Sequence, residues 1–329
     1  MPVVRYIPGL SVKTVFHSRA GSVWAVRNVN STNAAALFRF DEKNRSIKPC
    51  RGTDNLEISS VCSLDENTLL LLVSDEGLYE YGINTDRAAR SRILELPSPV
   101  NTEEMILSNN SLGDVLVLSN VGNSYCYRPS TGELRQFSIP HAVKDASSIV
   151  DVANTDNGRT IITTKNSILE LDQDLWIREL FHSDRQILSS AMDPMENIWY
   201  LTIKGLNCYS IRENKNSFEY ASNRDNTLAR VCIDRTGYNK LWIQTFNDGM
   251  LVYTPLTGER RILTLDDGLI SSNSPTDGGF CSESGVLYFP GGRGLAVLFP
   301  ENENDVLNPF KLDVHLLSVT EDGRPVKIA

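Results

Sequence analysis

The chain has 329 residues, 41% hydrophobic and 22% charged, enough for one large domain or two ordinary ones with a full apolar core. A net charge of −9 argues against nucleic acid or an anionic membrane surface as partner, since both select for clustered Lys and Arg. The longest aliphatic run, LLLLV at residues 69–73, is far short of the roughly 20 apolar residues of a bilayer span, so neither a spanning helix nor a secretory leader is expected here.

Taken in chain order, the sequence is a succession of short apolar runs separated by Asn, Asp, Gly, Ser and Pro. The first run, PVVRYIPGL, stands before any repeat and is similar to later outer runs such as RRILTLDDGL. Thereafter each Gly-containing run closes on an apolar residue: Phe40, Tyr81, Tyr127, Leu171, Tyr209, Tyr253 and Phe299. These lie 41, 46, 44, 38, 44 and 46 residues apart, which makes seven units of about 43 residues. Unit 2 shows the content of one unit: ISSVCSL, NTLLLLVS, GLYEYGI and RSRILELP, four candidate strands. The phrases YRPSTGELR (127–135) and YTPLTGERR (253–261) agree at six of nine positions. In each, Pro ends a strand and Thr-Gly makes the turn into the next.

Four short strands per unit at this period predict an all-β fold, a seven-bladed β-propeller of four-stranded blades. Unit 7 lacks a fourth strand, because PENENDVLNP follows its third. Residues 3–7 are therefore expected to supply the outermost strand of blade 7 and to close the ring, hiding sheet edges that an open array would expose. The propeller is assigned to residues 1–300. Residues 301–329, with FKLDVHLLSV as a fresh strand and EDGRPV as a hairpin turn, are assigned to a linker and the first strands of a truncated further domain.

The six Cys show no CxxC and the four His stand far apart. Cys62, Cys232 and Cys281 are read at one point of the first strand, where other units carry Phe16, Ile106, Val150 and Met192. Cys126 and Cys208 are read at one point of the third strand, and all are taken as free thiols filling apolar space. Trp24, Trp199 and Trp242 share a second-strand slot, filled in unit 7 by Tyr288, and are expected to pack between blades.

No GxSxG elbow or phosphate loop is present, and GGRGLA (291–296) opens no helix, so no catalytic residue, metal or cofactor is assigned. A ligand is expected on the turns between second and third strands and on the blade connections, at one end of the ring. The candidates are Arg27, His141, Lys204, Phe246, Asn247, Asp248 and Arg293. Phe246-Asn247-Asp248 has the flat face and paired polar groups that suit a sugar, and the cations suit an acidic group on it. Two other readings compete. One is a metal-dependent lyase or lactonase using Asp151, Asp193, Asp234 and His17 around the axis, and the other is a protein-binding or homodimerising scaffold.

The phrases NKLWIQTFNDGMLVYTPLTGERRILTLDDGLISSN (239–273) and GVLYFPGGRGLAVLFPENENDVLNPFKLDVHLLSV (285–319) resemble the two-component regulator propellers of Bacteroidetes hybrid two-component sensors. The match is carried by Phe289-Pro290-Gly291-Gly292 and Phe299-Pro300 in the last unit. The resemblance implies a periplasmic region of an inner-membrane protein, without catalysis of its own. It would bind an oligosaccharide and relay it through an immunoglobulin-like domain to a histidine kinase. Such sensors usually carry two propellers before that domain, and one is expected here.

Overall fold

The computed structural model describes residues 3–8, 11–28, 35–41, 44, 46–92, 105–119, 122–139, 149–155, 157–221, 228–234, 240–245, 249–264, 280–281, 285–291, 294–299, 319–321 and 324–326. Among them the fold is an all-β propeller of four-stranded antiparallel blades. β1 (Val3–Pro8) comes first in the chain. Blade 1 follows with β2 (Val12–His17), β3 (Val23–Arg27), β4 (Leu37–Asp41) and β5 (Ser46–Pro49). Blade 2 has β6 (Ile58–Ser63), β7 (Thr68–Val73), β8 (Gly77–Gly82) and β9 (Arg87–Arg90). Blade 3 has β10 (Met105–Asn109), β11 (Val115–Ser119), β12 (Ser124–Arg128) and β13 (Glu133–Phe137). Blade 4 has β14 (Ile149–Asn154), β15 (Thr160–Thr164), β16 (Ser167–Leu171) and β17 (Ile177–His182). Blade 5 has β18 (Ile187–Met192), β19 (Asn197–Thr202), β20 (Gly205–Ser210) and β21 (Lys215–Ala221). Blade 6 has β22 (Leu228–Ile233), β23 (Leu241–Thr245), β24 (Met250–Thr254) and β25 (Glu259–Leu263).

A further four-stranded sheet takes β26 (Phe280–Cys281), β27 (Leu287–Gly291) and β28 (Gly294–Phe299), with β1 as its fourth member. β1 runs antiparallel to β28, from Val3 opposite Phe299 to Pro8 opposite Gly294. β29 (Val319–Glu321) and β30 (Arg324–Val326) form a separate hairpin at the position of EDGRPV, while residues 310–318 lie outside the described residues.

Among the described residues seven hydrophobic clusters hold these sheets together: six join consecutive sheets, and one joins blade 1 to the last sheet. β3 shows how. Val23 and Ala25 face Tyr288 and Val297 of the last sheet, whereas Trp24 and Val26 face Ile58, Leu69 and Leu71 of blade 2. Alternate side chains of one strand thus serve two interfaces, which is why second strands read as unbroken apolar runs. The cluster between blade 1 and the last sheet is built like the others.

An aromatic pair recurs at these interfaces. Trp24 meets Tyr81 edge-on at 5.8 Å, Trp199 meets Tyr253 at 6.2 Å, and Tyr288 meets Phe40 at 5.2 Å. In each case the second strand of one sheet reaches the third strand of the next, the geometry aromatic quadrupoles favour. The three Trp of the shared slot are buried, as between-blade packing requires. Trp176, in the β16–β17 turn, is 75% exposed.

Three expectations need correction. The fourth strand of blade 2 is Arg87–Arg90, not RSRILELP. The tight turn at Asp86, with φ of 51° and its N–H bonded to Gly82 O, starts the strand at once. In the last sheet the pairs Phe280–Tyr288 and Leu298–Leu287 match Cys232–Trp242 and Tyr253–Leu241. Phe280 therefore takes the place given to Cys281, and Leu298 that given to Phe299. Finally, counting back from the turns places Ser108, Ala153 and Ala191, rather than Ile106, Val150 and Met192, level with Cys62 and Phe16.

The duplicated turn phrase folds identically in both copies. Gly132 N–H bonds Arg128 O at 2.9 Å and Gly258 N–H bonds Thr254 O at 2.8 Å, with φ of 72° and 70°. Gly249 is required for a second reason, since a Cβ there would lie 2.1 Å from Leu263 O.

Candidate ligand-binding channel and rim

In blades 1, 2, 4, 5 and 6 the last paired residue of the second strand stands opposite the first of the innermost strand, as with Arg27 and Val12 or Thr202 and Ile187. The turns after second strands and the starts of inner strands therefore share one end. Arg27 and Lys204 both belong to that end, Arg27 half-buried at the tip of β3 and Lys204 exposed in the β19–β20 turn. His141, Phe246, Asn247, Asp248 and Arg293 lie outside the described residues.

At the same end the inner strands of blades 1 to 6 wall a cavity of about 620 Å³. It is bordered by Lys13, Glu57 and Ser74, and further in by Ser60, Asp151, Ser189, Ser190 and Arg230. Most of these lie on inner strands, outside the turns and connections where the sequence pattern points to a ligand. The sequence pattern does not mark the β-bulges either. In β2, β6, β14, β18 and β22 the register slips between the first and third residues, leaving Lys13, Ser59, Val150, Leu188 and Ala229 unpaired. Bulges cluster at barrel rims and re-aim side chains there. Among these five positions Lys13 carries the one charge.

Side chains tie adjacent inner strands to one another. Leu107 N–H donates to Ser60 Oγ at 2.9 Å, Asn154 Nδ2 donates to Asn109 O at 2.8 Å, and Ser190 Oγ donates to Asp151 Oδ2 at 3.4 Å. Val231 N–H donates to Ser189 Oγ at 3.1 Å, and Arg230 Nη1 to Leu188 O at 2.9 Å. Neighbouring inner strands belong to separate sheets, so four of these five bonds satisfy backbone groups that no strand ladder pairs.

The residues proposed around the axis for a metal do not come together. Asp193 and Asp234 sit at the far end, in the turn after the inner strand, level with Ser18, Asn110 and Thr155. Asp193 accepts there from Met195 N, Asn197 N, Asn197 Nδ2 and Trp199 Nε1. Asp151 lies four residues up its strand from that level, on the cavity wall, and His17 is beside the Ser18 turn. Among the described residues no group of three His, Cys, Asp or Glu is placed to hold a metal ion. Ser167, His182 and Glu179 are in contact, with Ser167 Oγ 2.5 Å from Glu179 Oε1 and 3.1 Å from His182 Nδ1. Glu179 also meets that same Nδ1 at 3.2 Å, and Ser167 is buried, so the cluster lacks the base–orienter order of a nucleophilic triad.

The described thiols are free. Burial pushes Cys62 and Cys208 up to about 12 and Cys50 and Cys126 up to about 11, which removes them as nucleophiles.

No family model and no curated protein matches this chain. Solved structures do match in fold. The extracellular domain assigned to the hybrid two component system BT4673 of B. thetaiotaomicron is 17% identical, with a TM-score of 0.66, over 90% of this chain and 40% of that one. That of BT3049 from the same organism is 14% identical, with a TM-score of 0.65, over 100% of this chain and 46% of that one. A streptogramin B lyase is 12% identical, with a TM-score of 0.66, over 90% of this chain and 97% of that one. The chain thus spans less than half the length of the two extracellular domains.

Proposed function

We propose that this chain is the propeller region of a hybrid two-component sensor, a two-component regulator propeller on the extracellular or periplasmic side of an inner membrane. Its role is recognition rather than catalysis. The observation that carries the reading is the likeness in fold to extracellular domains of such systems over 90% and 100% of the chain, alongside the resemblance of residues 239–273 and 285–319. In this reading the sheets form one seven-bladed ring with β1 as its clasp over residues 1–300. Residues 301–329 lead into an immunoglobulin-like domain coupled to a histidine kinase.

The ligand is an oligosaccharide held at the end that carries Arg27 and Lys204, with His141, Phe246, Asn247, Asp248 and Arg293 as further candidates. Hydroxyl-rich ligands suit a rigid wall of hydroxyls and cations with apolar faces nearby. Isothermal titration of a panel of neutral and acidic oligosaccharides, using the chain with its natural flanking domains, tests this. Heat from one polysaccharide class, reduced in Arg27→Ala and Lys204→Ala, is expected. Silence across the panel counts against it.

The likeness to a lyase of similar length supports a second reading, a propeller enzyme. Metal analysis of purified protein separates the two, since that reading requires a stoichiometric ion.

A further inference from the structure

We propose that the channel mouth binds a small zwitterion, an amino acid or short peptide, between Lys13 and Glu57. This does not rest on the sensor reading. The cavity, at about 620 Å³, is in the range of small-ligand pockets. Lys13 on β2 and Glu57, immediately before β6, border it from adjacent inner strands. Among the described residues neither side chain has a hydrogen-bond or ion-pair partner.

Lys13 is half-buried and Glu57 is exposed at the mouth, so both charges stand where a ligand from solvent can reach them. The fold does not require Lys13, because the same bulge position holds Ser59, Val150, Leu188 and Ala229 in other blades. The bulge leaves Lys13 without a cross-strand partner, between Val12 and Thr14. Glu57 is anchored through its backbone, its carbonyl accepting from Ser74 N–H at 2.8 Å. Deeper in, Ser190, Asp151 and Arg230 already bond neighbouring strands. The two mouth charges are thus the groups left to turn to a ligand. A plain anion would meet Glu57 and a plain cation Lys13, whereas a molecule carrying both charges complements both.

Titration calorimetry with glycylglycine, N-acetylglycylglycine and glycylglycinamide tests the assignment. The dipeptide is expected to bind at least about tenfold more tightly than either blocked form. Lys13→Gln should weaken glycylglycine and its N-acetyl form by about tenfold and leave the amide form unchanged, whereas Glu57→Gln should weaken glycylglycine and the amide form by about tenfold and leave the N-acetyl form unchanged. Both changes lie outside the core clusters, and an unchanged melting temperature would verify folding. Equal affinity for the three ligands, no heat at millimolar dipeptide, or indifference to Lys13→Gln would each overturn the proposal. None of these results touches the oligosaccharide titration, so the two readings fail separately.

Discussion

Trp199 Nε1 donates to Asp193 Oδ2 at 2.9 Å, while Trp24 and Trp242, at the same slot of other blades, have an indole N–H with no partner among the described residues. One carboxylate therefore closes a turn through three further hydrogen bonds and also satisfies a buried indole. Asp193→Ala should cost about 2–3 kcal/mol, since several donors lose their acceptor in a buried site. Trp199→Phe should cost about 1 kcal/mol more than Trp242→Phe, which loses ring area but no hydrogen bond. Urea unfolding of the three variants measures both.

Deleting residues 1–10 should cost several kcal/mol, about 3–5 by the bonds of a six-residue pairing, and should leave β28 as an open edge. The expected result is a lower melting temperature with concentration-dependent association. Calorimetry and light scattering on the truncated chain, with and without the missing peptide added back, report the two effects.

The buried thiols fix the sign of one pH effect. Their ordinary value is 9.0 and the folded values are about 11 to 12, so the native state keeps protons that the unfolded chain releases. Stability from this source is complete below pH 9 and is lost as pH rises through the folded values. The melting temperature should therefore fall as pH rises from about 9 to about 11, and less so in a variant with these four Cys changed to Ala or Ser. A thiol reagent at about pH 8 should label the buried Cys50, Cys62, Cys126 and Cys232 only after denaturation.

Arg159 joins blades 4 and 5, with Nη1 3.3 Å from Glu170 and Nη2 3.0 Å from Glu196. Arg178 and Arg212 meet the same two carboxylates from outside. As a network of largely buried carboxylates it should be worth more than an exposed pair. Arg159→Ala is expected to destabilise by about 1–2 kcal/mol, with a smaller difference in high salt. Denaturant melts at two ionic strengths check this.

The sequence by itself determined the repeat, the strand content and the chemistry of the turns. YRPSTGELR and YTPLTGERR fold alike because Gly at positive φ and the Thr–Glu pair act within a few residues. The sequence also marked Trp24, Trp199 and Tyr288 as between-blade packing, since side-chain alternation assigns faces. What it did not determine was register across strands. Phe280 in place of Cys281, Asp151 away from Asp193 and Asp234, and the bulge at Lys13 each depend on which residue stands opposite. A one-residue slip changes nothing in composition but moves a side chain to the other face. Only the tertiary structure decided that the inner strands of blades 1 to 6 converge, because their convergence joins residues more than 200 positions apart. Lys13 and Arg230 border one cavity for that reason.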